Sequence, residues 1–220
     1  MKVAVIGTGN VGRALGASFS RAGHDVTYAA RDAAKTREVA DELGASAAVT
    51  AADAVDTADV VVLAVPYAAL GSLAGEIRDG VAGKVVIDVT NPIKADYSGP
   101  ALATGSGAEQ VATLLPDARV AKAFNTLFAS IQADPETLDT PLDGLYATDD
   151  DATRATLAEL ISSIGLRPVH VGALSAAREL EALAWLNIRL QMVTGGDWRS
   201  SFVLVGAPVA AIAEPAGAAA

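Results

Sequence analysis

Three glycines in the stretch Val5-Ile6-Gly7-Thr8-Gly9-Asn10-Val11-Gly12 constrain the fold of this chain more than any other feature. They lie between a short apolar, β-branched run (Lys2 to Ile6) and a segment of helical periodicity (about Val11 to Arg21). A G-x-G-x-x-G spacing alone is weak. Between a strand and a helix, with a second strand about twenty residues on, it reads as a dinucleotide-binding βαβ unit. Gly7 would allow the tight turn, Gly9 would let backbone approach a pyrophosphate, and Gly12 would permit close helix–strand packing. The amides at the helix start, where Asn10 and Val11 lie, would face the phosphates. The bland alternative is a glycine-rich strand–helix turn that binds nothing.

The rest of the chain repeats the same rhythm. Strands are expected at Val26 to Ala30, weakly at Ala47 to Thr50, and most clearly at Val60 to Pro66 and Lys84 to Pro92. Helices are expected at Ala33 to Leu43, in the segment 51–59, and at Ala68 to Ile77. After a loop from Lys94 to Gly107 come a helix (Ala108 to Leu115), a strand (Arg119 to Phe124), two strands in 142–150 and 166–172, and a helix between them (Ala152 to Ile164). A long helix follows from about Ser175 to Gln191. This pattern predicts an α/β, Rossmann-type, doubly wound parallel sheet with a small C-terminal helical segment. The division expected is 1–172 for nucleotide binding, 173–206 for a helical cap or dimerisation segment, and 207–220 as a disordered Ala-rich tail.

Composition narrows the chemistry. There is no cysteine, which excludes disulfides, thiolate metal sites and cysteine nucleophiles. Two histidines, His24 and His170, argue against a histidine-rich metal site, and both read as scaffold, His24 in an exposed turn and His170 packed in a strand. A net charge of −10 argues against a nucleic-acid partner. No apolar run is long enough for a membrane span, and the N-terminus runs straight into a strand, so a cytoplasmic location is expected. The acidic segment from Asp134 to Glu159 reads as a solvated loop and helix face.

The end of the second strand discriminates between nicotinamide cofactors. An NAD binder carries Asp or Glu there to bond the ribose 2′-OH. Here Ala30 and Arg31 occupy that register and Asp32 falls one residue late. Ala30 carries no carboxylate to repel a 2′-phosphate, while Arg31 offers a planar fork and Lys35 a second positive charge. NADP is therefore favoured. In an open parallel sheet, ligands bind outside the carboxyl ends of the strands. Three such ends carry polar or kinked signatures: Ala64-Val65-Pro66 followed by Tyr67, Thr90-Asn91-Pro92, and Asn125-Thr126. Each alone could simply terminate a strand. Together they mark a cleft for the nicotinamide and its substrate.

In that order, "GTGNVG", "AVP", "DVTNP", "KAFNT" and "GLRPVHVGALSAARELE" resemble the NADPH-dependent coenzyme F420 reductases over about residues 1 to 205. The same module occurs in Steap-type metalloreductases. The resemblance implies a homodimer that passes a hydride between NADP(H) and a 5-deazaflavin. It implies that Thr8, Arg31 and Lys35 hold the 2′-phosphate end, and that Asn91, Pro92, Asn125 and Thr126 border the nicotinamide and deazaflavin. Archaeal members carry an extra glycine and a serine where this chain has Ile6 and Ala30, so NADP preference rests here on Arg31 and Lys35.

Reduction of an isolated carbonyl or imine usually needs a positioned acid. The C-terminal helix has no lysine for that role, and no lysine follows Lys122. Hydride transfer to a deazaflavin needs only two rings stacked at a near-attack distance, because the acceptor delocalises charge and water supplies its proton. The helix with Trp185 and Leu186 is expected to cap the cleft or pair two subunits, and the turn Thr194 to Trp198 is a candidate for lining the deazaflavin pocket. Two alternatives stay open: an NADPH-dependent reductase of a flavin, quinone or imine, and a non-enzymatic NADP(H)-binding redox sensor.

Overall fold

A computed structural model describes residues 1–206. The strands β1 (Lys2–Ile6), β2 (Asp25–Ala29), β3 (Ser46–Ala47), β4 (Val60–Leu63), β5 (Val85–Asp88), β6 (Arg119–Ala123), β7 (Asp143–Thr148) and β8 (Arg167–His170) form one sheet. Their spatial order is β3-β2-β1-β4-β5-β6-β7-β8. The first six are parallel neighbours, and the chain changes direction across the sheet between β3 and β4. That switch places the carboxyl end of β1 beside that of β4, where open α/β sheets bind ligands.

The central strands are apolar on both faces because helices cover both. Val3, Val5, Val60, Val62, Val85 and Ile87 face one layer, which includes α1 (Asn10–Arg21), α2 (Ala33–Leu43), α6 (Ala129–Ala133) and α7 (Asp151–Ser163). Ala4, Ile6, Val61, Leu63 and Val86 face the other, built on α3 (Ala51–Asp56), α4 (Leu70–Ile77) and α5 (Gly107–Leu114). The last helix, α8 (Ala177–Thr194), begins in this second layer through Ala177. Among the described residues, no helix is long and apolar enough to cross a membrane.

Four local expectations change. β7 runs antiparallel to β6, although it is parallel to β8. The connection between β6 and β7 contains only the five-residue α6 and a 3₁₀ turn, and α6 packs against α1 instead of carrying the chain back across the sheet. Parallel neighbours need a crossover, usually helical, so β7 enters from the edge where β6 ended. β3 is two residues long and lies earlier than expected, because Thr50 is taken as the N-cap of α3 in a reciprocal capping box with Asp53. The acidic segment is not wholly solvated: Asp143 is buried, accepting from Arg167 Nε at 2.6 Å and from the Leu204 amide at 2.6 Å. His24 is half-buried and bonds Ser163 Oγ through Nε2 at 2.8 Å, with burial holding its imidazole below its ordinary pKa. The expected tail, 207–220, lies outside the described residues.

Candidate active site

The glycine loop shows why three glycines stand where they do. Gly7 has φ +121°, and a Cβ there would sit 2.1 Å from the Ala64 carbonyl oxygen, so the end of β4 closes directly on the loop. A Cβ on Gly12 would sit 2.0 Å from the Gly7 carbonyl oxygen. Gly9 differs: its φ of −76° suits any residue, and no atom lies within 4 Å of the position of its missing Cβ. Nothing in the protein itself requires glycine at that position, whereas a ligand lying on the loop would. Gly9 is also the N-cap of α1 and supplies no capping side chain, and the first turn holds no acid. Uncapped amides at the positive end of a helix are suited to a phosphate group, so the loop fits a dinucleotide.

At the end of β2, Arg31 and Lys35 are exposed, and neither enters an ion pair among the described residues. Asp32 is the N-cap of α2 and accepts the Lys35 amide at 3.0 Å. The carboxylate nearest to the ribose register is thus engaged in holding a helix. Arg31 and Lys35 leave this edge with positive charge.

Beyond β5 and β6 the two strand-end asparagines meet. Asn91 Nδ2 donates to the Asn125 carbonyl at 3.0 Å, and Asn125 Nδ2 donates to Asn91 Oδ1 at 2.9 Å. The reciprocal bonds fix both amide orientations, because a flip of either would bring like atoms together. Asn125 Oδ1 is left buried without a partner. The turn carrying Asn125 and Thr126 is held by a residue that sequence reasoning missed. Gln132, on α6, donates from Nε2 to the Phe124 carbonyl at 3.0 Å and to the Leu127 carbonyl at 2.9 Å. Phe124 itself has φ +61°, ending β6 one residue before its expected limit.

These parts border a cleft of about 770 Å³ that none of the charged residues lines. Asn10 and Val11 come to it from α1, Asn91 from beyond β5, and Asn125 and Thr126 from beyond β6. Ala184, Ile188 and Met192 of α8 form the facing wall, and Trp198 follows from the turn after that helix. The other candidate residues lie off the cleft. Gly7, Thr8, Gly9, Gly12, Ala64, Val65 and Pro66 build the phosphate loop and the strand end against it, while Arg31 lies just past β2 and Lys35 in the first turn of α2. Pro92 is buried and its carbonyl accepts from the Ala101 amide at 2.7 Å.

A second cluster was also missed. Lys122 Nζ, fully buried, donates to Asp88 Oδ2 at 2.9 Å, to Glu181 Oε1 at 2.8 Å and to the Thr90 carbonyl. Glu181 also accepts from the Gly107 amide at 2.9 Å. Burial raises the Glu181 carboxyl above its ordinary pKa, outweighing the Lys122 ammonium. The cluster therefore ties β5, β6, α5 and α8 together, and through Thr90 it anchors the residue before Asn91. Its signal in the sequence is an acid and a base inside strands otherwise apolar on both faces, where a charge must find a partner.

Comparison with known proteins agrees with this geometry. The family described as NADP oxidoreductase, coenzyme F420-dependent, matches residues 2–92, from β1 to the strand end after β5. An F420-dependent NADP reductase of Methanothermobacter thermautotrophicus is 38% identical over 211 residues, covering 87% of this chain and 90% of that protein. Metalloreductase STEAP3 of Rattus norvegicus is 33% identical over 187 residues, covering 83% of this chain and 36% of that protein. A crystal structure from Arthrobacter sp. FB24, provisionally assigned as an F420-dependent NADP reductase, superposes with a TM-score of 0.83 at 29% identity, covering 93% of this chain and 99% of that one. Glycine loop, strand-end amides and similarity along nearly the whole chain converge, and the protein belongs to the family of coenzyme F420-dependent NADP oxidoreductases.

Proposed function

We propose that this chain transfers a hydride between NADP(H) and coenzyme F420. The observation that carries the reading is the uncharged cleft at the carboxyl edge of the sheet, shared by the start of α1 and the strand-end residues Asn91, Asn125 and Thr126. Its lining holds amides, the hydroxyls of Thr126, Ser130 and Tyr97, and apolar walls, and among the described residues it holds no carboxylate, ammonium, guanidinium or imidazole. When bound together, NADPH supplies the hydride and the deazaflavin accepts it, taking its proton from solvent. The chain's own work is placement. The first-turn amides of α1 receive the pyrophosphate, while Arg31 and Lys35, with Thr8 within the loop, receive the 2′-phosphate. The Asn91–Asn125 pair and Gln132 hold the strand ends rigid at the ring, and α8 keeps water from the far side. Stacking two rings at a near-attack distance is where such a site gains its rate.

In this reading residues 1–172 hold the nucleotide and 173–206 supply the cap and a dimer contact. Leu186, Leu190 and Val193 on α8 are 48%, 44% and 79% exposed and follow helical spacing, which supports a homodimer through that face. A polyanionic coenzyme does not cross a bilayer, which supports action in the cytoplasm. The test is to mix protein, NADPH and F420 and to follow loss of the deazaflavin absorbance, with NADH and FMN in parallel. Bleaching with NADPH and F420 alone is the expected result. Binding of NADPH without bleaching would reassign the protein to another acceptor or to a sensor.

A further inference from the structure

Three residues other than glycine adopt positive φ among the described residues: Tyr97 (+55°), Phe124 (+61°) and Trp198 (+61°). All three are aromatic; Tyr97 and Trp198 line the cleft, and Phe124 directly precedes the cleft residue Asn125. Left-handed backbone at a bulky residue persists only where its surroundings over-determine it, and it concentrates at ligand clamps. Phe124 is explained by its buried ring, edge-on to Phe19 at 5.8 Å, and by the turn that presents Asn125. Tyr97 and Trp198 are not buried: they line the cleft and are 57% and 43% exposed.

We propose that Trp198 is the stacking platform for the acceptor ring, on the face turned away from the nicotinamide, and that Tyr97 covers the ring's outer edge at the mouth. The assignment rests on the hydride-transfer reading above. Trp198 is fixed from both sides of its own backbone: its amide donates to Gln191 Oε1 at 2.8 Å, and its carbonyl accepts from Ser130 Oγ. Gln191 is buried and braced through Ser200, which also bonds Asn187. Gly196 is what lets Gln191 reach the turn, since a Cβ there would sit 2.2 Å from Oε1. The Trp198 ring is held edge-on to Phe128 at 5.3 Å, which sets its plane and leaves surface toward the cleft. Two buried amide side chains of α8 thus hold in place a large ring that the fold leaves uncovered. Tyr97 sits at the tip of a hairpin-like loop closed by the Lys94 amide on the Gly99 carbonyl at 2.9 Å and the Ala101 amide on the Pro92 carbonyl. An uncharged cleft with exposed aromatic rings selects a planar, fused, electron-poor ring by stacking.

The test titrates F420 into NADP⁺-loaded protein and reads deazaflavin fluorescence anisotropy, with steady-state kinetics alongside. Trp198→Ala is expected to weaken F420 binding about tenfold, Tyr97→Ala roughly threefold, and Trp198→Phe to recover most of the loss, with NADP⁺ affinity unchanged in all three. Equal F420 affinity in wild type and both alanine variants overturns the stacking assignment and leaves the reaction standing. So does parallel weakening of F420 and NADP⁺ in the alanine variants that Trp198→Phe restores for both ligands alike, since the ring would then serve the fold and not the acceptor. If wild-type protein holds no F420, the reaction itself falls, and the assignment with it.

Discussion

The glycine loop and the Asp88–Lys122–Glu181 cluster lie at the same edge of the same sheet and solve opposite problems. The loop keeps side chains away, so that backbone amides can receive a charge brought by a ligand. The cluster draws three charges out of solvent and satisfies them among themselves and three backbone groups, leaving nothing for a ligand. Between them lies a cleft without a charged wall. The difference teaches where to look for function here: the charges that matter to the fold are hidden from the cleft, and the groups that meet the ligand are amides, glycine and aromatic rings.

Substitutions can break that contrast at either end. The largest effect is expected from Lys122→Met, which strands two buried carboxylates. Removing one partner of a buried ionic group costs about 3–5 kcal/mol, to be read from urea unfolding. A loss no greater than that of a surface substitution would mean the cluster does not hold the cleft's walls. Next is Arg31→Ala. A hydrogen bond to a charged group contributes about 1.5–3 kcal/mol, so NADPH affinity should fall roughly ten- to a hundredfold while NADH affinity stays put. Equal losses for both would remove Arg31 from the 2′-phosphate.

Two glycines then separate fold from ligand. Gly12→Ala forces a Cβ onto the Gly7 carbonyl and should cost about 1–3 kcal/mol of stability. Gly9→Ala meets nothing in the protein and should leave stability within about 0.5 kcal/mol while weakening NADPH. If Gly9→Ala instead binds NADPH normally, the phosphates do not lie on the loop.

The smallest effect concerns pH. Burial raises the Glu181 carboxyl above its ordinary 4.5. The folded protein then holds that proton more tightly than the unfolded chain does. The stability it contributes is complete below the unfolded pKa and is lost as pH rises through the higher folded value. Glu181→Gln cannot release a proton, so its stability curve should lack that decline above pH 4.5. Parallel curves for the two proteins would contradict the raised value.

The sequence is most legible where strands are buried on both faces. Val60 to Leu63 and Val85 to Asp88 are visible as apolar runs because two helical layers demand them. The nucleotide half is legible for a related reason: Gly7, Gly12 and Asp32 each answer a local backbone demand within a few residues of themselves. Distant partnerships are less so. Glu181 looks like any helix-surface acid until α8 is laid against β5 and β6, and Gln132 looks like any polar residue of a short helix until Phe124 turns left-handed. Nor does Asp143 announce that it will be buried in a run of eight acids. The direction of β7 escaped for want of a helix, since a loop's composition does not say which way the next strand will run.

That reversal has a consequence for assembly. Had β7 and β8 continued the parallel sheet, β8 would have delivered the chain at the cleft and α8 would have led away from it. Because both run backwards, the chain leaves β8 at the opposite edge, and α8 climbs toward the cleft, arriving with Ala184, Ile188 and Met192. The first helix and α8 therefore share one cavity, and no chain that stops before Trp198 contains its whole lining. A ligand held there is gripped by α1 and α8 together, so its binding free energy opposes separation of the two ends of the sheet rather than unfolding of one half alone.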